Sequence, residues 1–359
     1  MNLFNSLLLL GPLFMIGCHK PPLDGPEGQL GKGPYEIRTL VFYNVENLFD
    51  TQNDPLVDDD ARTPDGTDQW TEERYTTKIQ NIARVLSEIG KDNAKRTPDL
   101  IGLCEVENLG VLNDLLAQEA LSASDYGIIH YDSPDLRGID VALIYKKSCF
   151  IPIESSNIRL DLRDEQNRPK TTRDQLLVFG QLDGEPLYIS VNHWPSRSGG
   201  QAQSDPLRRQ AAALQRDILD SVLQLNPEAR FISMGDFNDD PTDVSIKYVL
   251  GTLNKAINVP PYIFYNPMEK LFNAGLGTLA YRDQWNLFDQ VLFNGNWFSS
   301  ENQFEFWKAQ IYMPDYLKTP SGTYKGYPFR SYSGGTYLGG YSDHFPVYAY
   351  LIRKVKPDS

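Results

Sequence analysis

Residues 231–241, F-I-S-M-G-D-F-N-D-D-P, contain the pattern from which the fold is predicted. Phe231 to Met234 is a short apolar run of the kind that forms a buried strand. Asp236 and Asn238 follow the run directly, where a buried strand should give way to solvent. Taken alone, these polar residues are equally typical of a turn. The rest of the chain decides between the two interpretations, because the same arrangement recurs along it.

Seven further runs have β-type composition, at residues 40–45, 100–106, 141–145, 176–179, 187–191, 290–293 and 347–352. Polar side chains end or precede most of these runs: Asn44, Glu46, Glu105, Glu107, Asn192, His193, Asp289, Ser342, Asp343 and His344. The chain has only 4 histidines, and two of them stand beside Asn or Asp at such strand ends. This recurrence favours one shared site over a set of unrelated turns.

Two segments have the periodicity of helices. Residues 75–89 place Ile79, Ile82 and Val85 on one face, and a second helix is predicted to begin at Ser204-Asp205-Pro206, a cap followed by proline. Some strands follow one another directly and others are separated by a helix. The pattern predicts an α/β fold of two packed sheets with helices outside and no second domain. Residues 50–73 and 300–340 are predicted to be surface loops near one rim.

The composition limits the partners. The 359 residues are 41% hydrophobic, enough for one large core or two modest ones, and the formal net charge is -13. A broad basic surface for duplex nucleic acid is therefore excluded, and a polyanionic substrate must be held by a local positive site, by metal ions, or weakly. The three cysteines are too few for a disulfide scaffold. Cys104 and Cys149 adjoin apolar runs and are predicted to be core thiols, with a disulfide as the alternative.

The polar residues at the strand ends suit phosphodiester hydrolysis. That reaction requires a cation to neutralise the phosphoryl oxygens, a base to activate water, and a group to orient the nucleophile. Carboxylate and amide oxygens suit Mg²⁺ or Mn²⁺, whereas the cysteine and histidine spacings of a zinc site are missing. Asp289 could fix the tautomer of His344 and raise its basicity. The loop aspartates Asp58, Asp59 and Asp60 could bind Ca²⁺ or simply form a solvated acidic loop.

Seven motifs between residues 38 and 352 occur in a characteristic order: N-V-E-N-L-F, L-C-E-V-E-N, R-G-I-D-V-A-L-I-Y, V-N-H-W-P-S-R, G-D-F-N-D-D-P, F-D-Q-V-L-F and S-D-H-F-P-V. In this order they resemble the endonuclease/exonuclease/phosphatase superfamily, which includes deoxyribonuclease I and the apurinic endonucleases. The resemblance implies a four-layer α/β sandwich, with two packed mixed β-sheets flanked by helices. It also implies an active site at the rim where the motif-bearing strands end.

The resemblance assigns a role to each matching residue. The metal ligands would be Glu105, Asn44 and Asp343. The catalytic residues would be His344 and Asp289 as an acid–base pair, Asp236 and Asn238 as the groups that orient the nucleophile and the phosphate, and His193 as a contact to the phosphate or the leaving group. Phosphate contacts are expected from Arg173 and Arg137, with surface ion pairs as the alternative for both. Asp140 is a candidate partner for the ring of His193.

The substrate is less defined than the reaction. The motifs are most similar to those of exported bacterial nucleases, which implies a nuclease acting on DNA or RNA. Glu107, however, stands where deoxyribonuclease I has a basic DNA contact, so it should weaken duplex binding by repulsion. A phospholipid, sphingomyelin or inositol-phosphate hydrolase is the main alternative, and a non-catalytic binding protein on the same fold is the second. No protein partner is inferred.

The N-terminus has the features of an export signal. Residues 3–17 form an apolar run too short to span a membrane, and the run ends in a small residue and a cysteine. The segment M-I-G-C at residues 15–18 resembles the lipobox of bacterial lipoproteins. It implies a signal peptide over 1–17, a lipid on Cys18, and a place in the cell envelope at the outer membrane or periplasm. An ordinary signal peptide or a buried first helix are the alternatives. Prolines and glycines over 18–36 predict a flexible tether before a catalytic domain at 37–355.

Overall fold

A computed structural model describes residues 34–164, 166–298 and 303–355. The predicted signal peptide, Cys18 and nearly all of the predicted tether lie outside these ranges. Strand structure begins at Tyr35, two residues before the predicted domain start. Among the helices in the described ranges, none combines the length and apolar character that crossing a membrane requires.

Two mixed sheets form the centre of the fold. The first has six strands in the order Glu305–Ile311, Val347–Lys354, Tyr35–Leu48, Leu100–Val106, Asp140–Lys146 and Tyr126–His130. The second has seven strands in the order Thr252–Leu253, Phe264–Tyr265, Asp289–Asn294, Phe231–Asp236, Glu185–His193, Gln175–Leu182 and Phe150–Ile158. Each sheet has a parallel pair at its centre, Tyr35–Leu48 with Leu100–Val106 and Glu185–His193 with Phe231–Asp236, flanked by antiparallel neighbours.

Helices cover the outer face of each sheet. The α-helices span Glu72–Glu88, Lys91–Ala94, Leu109–Leu116, Glu119–Ser122, Gln201–Leu225 and Met268–Asn273, with a π-helical segment at Ser245–Gly251. Shorter elements include three two-stranded hairpins, Leu162–Arg163 with Pro169–Lys170, Leu279–Tyr281 with Gln284–Asn286, and Tyr332–Ser333 with Thr336–Tyr337. Three 3₁₀ segments lie at Asp60–Arg62, Gly295–Phe298 and Asp315–Leu317.

Side-chain alternation along the central strands creates the layers. In the Tyr35–Leu48 strand, Leu40 and Phe42 belong to the core between the sheets, whereas Val41 and Tyr43 belong to the core beneath the Glu72–Glu88 helix. A third core fills the space between the second sheet and the Gln201–Leu225 helix. Each such buried side chain stabilises the fold by about 1.5–3 kcal/mol relative to its exposed state. The predicted α/β sandwich with two mixed sheets is therefore confirmed.

Besides several strands of two or three residues, the sequence did not predict three longer strands of the described ranges: Tyr126–His130, Phe150–Ile158 and Glu305–Ile311. All three lie at sheet edges, where side chains meet solvent and apolar alternation weakens. In the Phe150–Ile158 strand, for example, Ile151 and Ile153 are exposed. The expectation of a loop throughout residues 300–340 is wrong for the Glu305–Ile311 segment. The remaining part does meet the other predicted loop, since the Tyr332 hydroxyl donates to the Asp68 carbonyl at 2.9 Å.

The second helix begins at Gln201 rather than at Ser204. Gly200, whose φ is 104°, precedes it, and the Ser204 hydroxyl donates back to the Gly200 carbonyl at 2.8 Å instead of capping the helix. Pro206 therefore lies in the second turn of the helix rather than in the first, and it removes one intrahelical hydrogen bond. Cys104 and Cys149 are both buried and free, which confirms the prediction of core thiols.

Candidate active site

The two central parallel pairs end at the same rim of the sandwich. In the second sheet, His193, Asp236 and Asp289 are direct neighbours across three adjacent strands. In the first sheet, Asn44 pairs with Cys104, one residue before Glu105. The loop that precedes the last strand brings Asp343 and His344 to this rim. The fold thus collects the predicted catalytic and metal-binding residues from six separate parts of the sequence.

The backbone is distorted at these strand ends. Glu46, Asn47, Glu105 and Asn238 have φ values of 50°, 54°, 61° and 50°, in the left-handed region that side chains other than glycine rarely adopt. The strand register also shifts at the ends of the two central strands of the first sheet. Each residue in this conformation destabilises the folded state by about 1–3 kcal/mol. Residues of this kind concentrate at functional sites. These distorted positions include the predicted metal ligand Glu105 and the predicted catalytic residue Asn238.

His344 and Asp289 form the predicted pair. The Nδ1 atom of His344 lies 2.7 Å from Asp289 Oδ2, and both side chains are buried. Burial acts to lower the pKa of His344, but the Asp289 and Asp236 carboxylates outweigh it and raise this pKa well above its usual value. The other Asp289 oxygen has no hydrogen-bond partner among the described residues. Since Nδ1 is engaged, Nε2 is the nitrogen free to meet a substrate.

Asp236 lies between the two active-site histidines. Its Oδ2 atom is 4.0 Å from His344 Nε2 and 3.7 Å from His193 Nε2. The Asn238 backbone amide donates to Oδ1 at 2.9 Å, and the Asn44 side chain donates to Oδ2 at 3.0 Å. Burial raises the pKa of Asp236 to about 7, and the Asp289 charge adds to this effect. One carboxylate oxygen therefore faces the reactive nitrogen of both histidines.

The predicted metal ligands lie next to this carboxylate. Glu105 Oε1 is 3.4 Å from the Asn44 amide nitrogen and 3.8 Å from His193 Nε2, and Glu105 Oε2 accepts from the Asn47 backbone amide at 2.9 Å. The Asn44 amide oxygen accepts from the Glu46 backbone at 2.9 Å. Asp343 contributes a half-buried carboxylate, paired with Arg330 at 3.0 Å. These groups supply oxygen atoms and excess negative charge, a donor set that fits Mg²⁺ or Mn²⁺.

Three charged residues of the site were given no role from the sequence: Glu46, Lys78 and Arg330. Glu46 is buried beside Asp343, and burial together with the Asp343 charge raises its pKa. Lys78 Nζ donates to the Ser331 hydroxyl at 2.8 Å and lies 3.8 Å from Glu46 Oε2, while Arg330 Nε lies 3.3 Å from Glu46 Oε1. Burial lowers the pKa of Lys78 to about 8. Lys78 lies on the apolar face of the first long helix, and this position could have indicated from the sequence that the lysine is buried.

The two arginines predicted to bind phosphate differ in their surroundings. Arg173 is buried, and it donates to Asp135 Oδ2 at 3.0 Å and to the Trp194 carbonyl at 2.7 Å. Arg137 is about half exposed, with its Nε 3.6 Å from the other Asp135 oxygen. After burial, the charges of these two arginines are the main causes that lower the pKa of His193 well below its usual value. Arg173 thus contacts the residue next to His193 and shares Asp135 with Arg137, and of the two only the Arg137 side chain is accessible.

Asp140 does not contact His193, contrary to the sequence-based suggestion. Its carboxylate lies 3.1 Å from His130 Nε2 and accepts from the Ser133 backbone at 2.8 Å, because the side chain faces the adjacent edge strand. The Nδ1 atom of His193 has no partner among the described residues. Cys104 Sγ lies close to His193 and Asp236, but burial raises the pKa of the Cys104 thiol well above its usual value. It remains a protonated core thiol rather than a thiolate ligand.

Several solved structures share the fold. Humanized D. rerio TDP2 has a TM-score of 0.51 and 16% identity, and covers 88% of this chain and 99% of its own. An endonuclease/exonuclease/phosphatase family protein from Bacteroides thetaiotaomicron has a TM-score of 0.51 and 17% identity, and covers 90% of this chain and 97% of its own. The human Nocturnin catalytic domain, solved with a bound sulfate anion, has a TM-score of 0.50 and 15% identity, and covers 92% of this chain and 99% of its own.

Sequence comparison gives the family. No curated protein sequence matches this chain at a significant level. The sequence model of the Endonuclease/Exonuclease/phosphatase family matches residues 39–353, nearly the whole sandwich and all the strand ends described above. The chain therefore belongs to the endonuclease/exonuclease/phosphatase family.

Proposed function

We propose that this protein is a nuclease that hydrolyses phosphodiester bonds of DNA or RNA with the help of Mg²⁺ or Mn²⁺. The observation that carries the proposal is the position of Asp236 Oδ2, which lies within 4.0 Å of the Nε2 atom of both His193 and His344, beside the Glu105 carboxylate. Family membership supports the general class of reaction, phosphodiester hydrolysis by enzymes that typically depend on a divalent metal.

Each residue of the site has a distinct task in this proposal. Asp289 holds the His344 ring by its Nδ1 atom, so that Nε2 exchanges a proton with the attacking water or the leaving oxygen. Asp236, fixed by two hydrogen bonds, orients the water. Asn238, whose amide nitrogen donates to the Trp194 carbonyl at 3.0 Å, helps to position the scissile phosphate. His193 contacts a phosphate oxygen or the leaving group.

Glu105, Asn44 and Asp343 would hold the divalent cation. When bound, the cation would neutralise charge on the phosphoryl oxygens as it develops. Glu46 adds a further buried carboxylate behind these ligands, and Lys78 and Arg330 balance part of the charge. The same excess of carboxylates would repel a phosphate in the absence of a cation, which supports metal dependence over a purely protein-based site.

Nucleic acid is favoured as the substrate by the surroundings of two charged residues. Glu107, expected to repel DNA, is buried and accepts from the Asp50 backbone at 2.6 Å, so it does not face a substrate. Arg137 offers an accessible cation beside Asp135, which also pairs with Arg173. A related fold, D. rerio TDP2, was solved in complex with a single strand DNA product. Lipid and inositol phosphates remain the alternative substrates.

A substrate panel tests the proposal. The purified protein should release product from single-stranded or duplex DNA or from RNA with Mg²⁺ or Mn²⁺, and excess chelator should abolish the activity. The Asp236→Asn variant serves as the inactive control for contaminating nucleases. Hydrolysis of sphingomyelin or an inositol phosphate without cleavage of nucleic acid would contradict the nuclease assignment. Full activity in chelator would contradict the role of the metal.

We also propose that the protein is exported and anchored to the cell envelope by a lipid on Cys18. The M-I-G-C segment after an apolar run supports this, and the anchor would hold the nuclease at the outer membrane or periplasm. In a bacterial expression host, the Cys18→Ala variant should lose incorporation of labelled fatty acid and leave the membrane fraction. Unchanged fractionation and labelling would contradict the anchor.

A further inference from the structure

Arg197 ends the V-N-H-W-P-S-R motif, four residues after His193, and only 20% of its side chain is exposed. Its Nε atom donates to the Asn238 carbonyl at 2.9 Å. The guanidinium carbon also lies 4.3 Å from the centre of the Phe288 ring, which is buried. Since Phe288 directly precedes Asp289, this one side chain contacts the segments that carry Asn238 and Asp289.

The loop after the G-D-F-N segment carries three carboxylates that share the same guanidinium. The Nη2 atom of Arg197 lies 2.6 Å from Asp243 Oδ2, 3.2 Å from Asp239 Oδ1 and 3.4 Å from Asp240 Oδ2. Among the described residues, no other basic side chain pairs with Asp240 or Asp243. Asp239 has a second partner, because Arg208 Nε lies 2.7 Å from its Oδ1 atom. Without Arg197, the other two carboxylates would repel each other uncompensated.

The backbone of Asn238 is held on both sides of its α-carbon. Its φ of 50° lies in the left-handed region, which side chains other than glycine rarely adopt. Its amide donates to Asp236 Oδ1 at 2.9 Å, and its carbonyl accepts from Arg197. Its side-chain amide donates to the Trp194 carbonyl at 3.0 Å. Because such a conformation persists only where the surrounding contacts impose it, the hydrogen bond from Arg197 helps to fix the orientation of Asn238.

The same loop is tied to the strand that begins with Asp289. The Phe237 amide donates to the Phe288 carbonyl at 2.9 Å, and the Leu287 amide donates to Asp240 Oδ1 at 2.7 Å. Asp240 thus connects the guanidinium on one side with the segment before Asp289 on the other. A displaced loop would therefore disturb Asp289, whose carboxylate holds the ring of the proposed acid–base histidine.

We propose that Arg197 is a positioning residue for phosphodiester hydrolysis, an inference that rests on the proposed function. Its guanidinium holds the loop of residues 238–243 and the Phe288 segment against the segment of His193. Asn238 and Asp289 thereby keep their places in the active site. The shape of the guanidinium is required as well as its charge, because a planar fork of donors can bond several acceptors and stack on a ring at once. The ammonium group of a lysine cannot do both.

Steady-state kinetics with a single-stranded DNA oligonucleotide and with a bis-aryl phosphodiester, both in Mg²⁺, test the role. Arg197→Met should lower kcat by about 10²-fold, because a small displacement of catalytic groups is sufficient for a loss of this size. KM should change by less than about threefold, since Arg197 is not proposed to contact the substrate. Arg197→Lys restores the charge but not the fork, so its kcat should stay at least about tenfold below that of the unsubstituted protein.

Arg216→Met is the matched control. Arg216 also pairs with a carboxylate, at 3.1 Å from Asp220, and its guanidinium carbon lies 5.8 Å from the centre of the Tyr262 ring. Its side chain is 25% exposed, close to the value for Arg197, but its partners have no role in the proposed reaction. Its kcat should therefore stay within about twofold of the unsubstituted value.

Hydrogen exchange without substrate provides a second measurement. Arg197→Met should raise the exchange of backbone amides in residues 237–243 more than elsewhere in the chain, and Arg216→Met should not. The inference is overturned if exchange in this loop is unchanged or rises evenly along the chain, or if either Arg197→Met or Arg197→Lys retains full turnover. An unsubstituted protein that cleaves no phosphodiester would instead contradict the proposed function, whereas the exchange measurement decides whether Arg197 holds the loop whatever the substrate.

Discussion

Two histidine–aspartate pairs in this molecule have similar geometry and different surroundings. His344 lies 2.7 Å from Asp289, and His130 lies 3.1 Å from Asp140. Asp140 also accepts from Ser133, whereas the second oxygen of Asp289 has no partner among the described residues. The free nitrogen of His344 faces the buried carboxylate of Asp236, whereas that of His130 is 4.0 Å from the exposed Asp132.

The difference shows that pairing with aspartate does not by itself make a histidine catalytic. A carboxylate orients an imidazole ring in either place. What distinguishes His344 is a second ring nitrogen directed at other reactive groups, together with buried charges that the protein leaves uncompensated. The pair at His130 is satisfied by its neighbours and stabilises an edge strand.

The largest effect should separate the two histidines. His344→Ala should lower the turnover number for phosphodiester hydrolysis by about 10³-fold, as expected for loss of a general acid–base group, while the fold stays intact. His130→Ala should change turnover by less than about threefold, because its ring contacts Asp140 and Asp132 rather than Asp236. Steady-state kinetics on both variants, with circular dichroism as a control, measure the contrast. Equal losses of turnover in the two variants would refute the distinction between the two histidines.

Asp236→Asn tests the group that faces both active-site histidines. The substitution keeps the shape of the side chain but removes the charge, so turnover should fall by about 10²-fold or more. The Tm should change little, because removal of an unfavourably buried charge offsets the loss of one of the two hydrogen bonds that the carboxylate accepts. Single-turnover kinetics and thermal unfolding are the measurements. Near-normal turnover would remove the mechanism proposed above.

The buried pair of Lys78 and Glu46 extends the comparison to a charge that does have a partner. Lys78→Met should leave the buried Glu46 with the half-exposed Arg330 as its remaining ion-pair partner among the described residues, and should destabilise the protein by up to about 3–5 kcal/mol. Chemical denaturation measures the loss. The double variant Lys78→Met with Glu46→Gln should recover much of it. If the second substitution recovers nothing, the cost arises from lost packing rather than from the unpaired charge.

The smallest effect is expected at the satisfied pair. Asp140→Asn should lower the free energy of unfolding by about 1 kcal/mol, because one charged hydrogen-bond acceptor becomes neutral. The turnover number should stay within about twofold of the unsubstituted value. A kinetic effect as large as that of Asp236→Asn would mean that His130 belongs to the active site after all.

The central strands and the site residues on them were predictable from the sequence. A strand buried in a two-sheet core is mostly apolar, so the strand from Phe231 to Met234 can be recognised in the sequence. A polar residue at the end of such a run can be recognised for the same reason. His193, Asp236 and Asp289 could be grouped for this reason. Edge strands such as Phe150–Ile158 escaped prediction because solvent takes the place of one packing partner.

Contacts that depend on loop closure were not predictable. Arg330 lies in a long segment without apolar periodicity, and only the folded loop brings it to Asp343. The partner of Arg173 is Asp135, from a turn that carries no motif. Spacing along the chain carries no information about these distances.

The residues with a left-handed backbone conformation at the strand ends also indicate which substitutions could make the protein more heat-resistant. At Asn47 the backbone amide, not the side chain, binds Glu105, so a glycine there would keep the contact and relieve an unfavourable conformation. At Glu105 a glycine would relieve the same conformation but remove the ligand. A library selected only for thermal survival should accept glycine at both positions, and one selected for activity should accept it at Asn47 alone. Sequencing the variants recovered from the two selections would identify the positions at which catalytic activity requires a residue that lowers the stability of the fold.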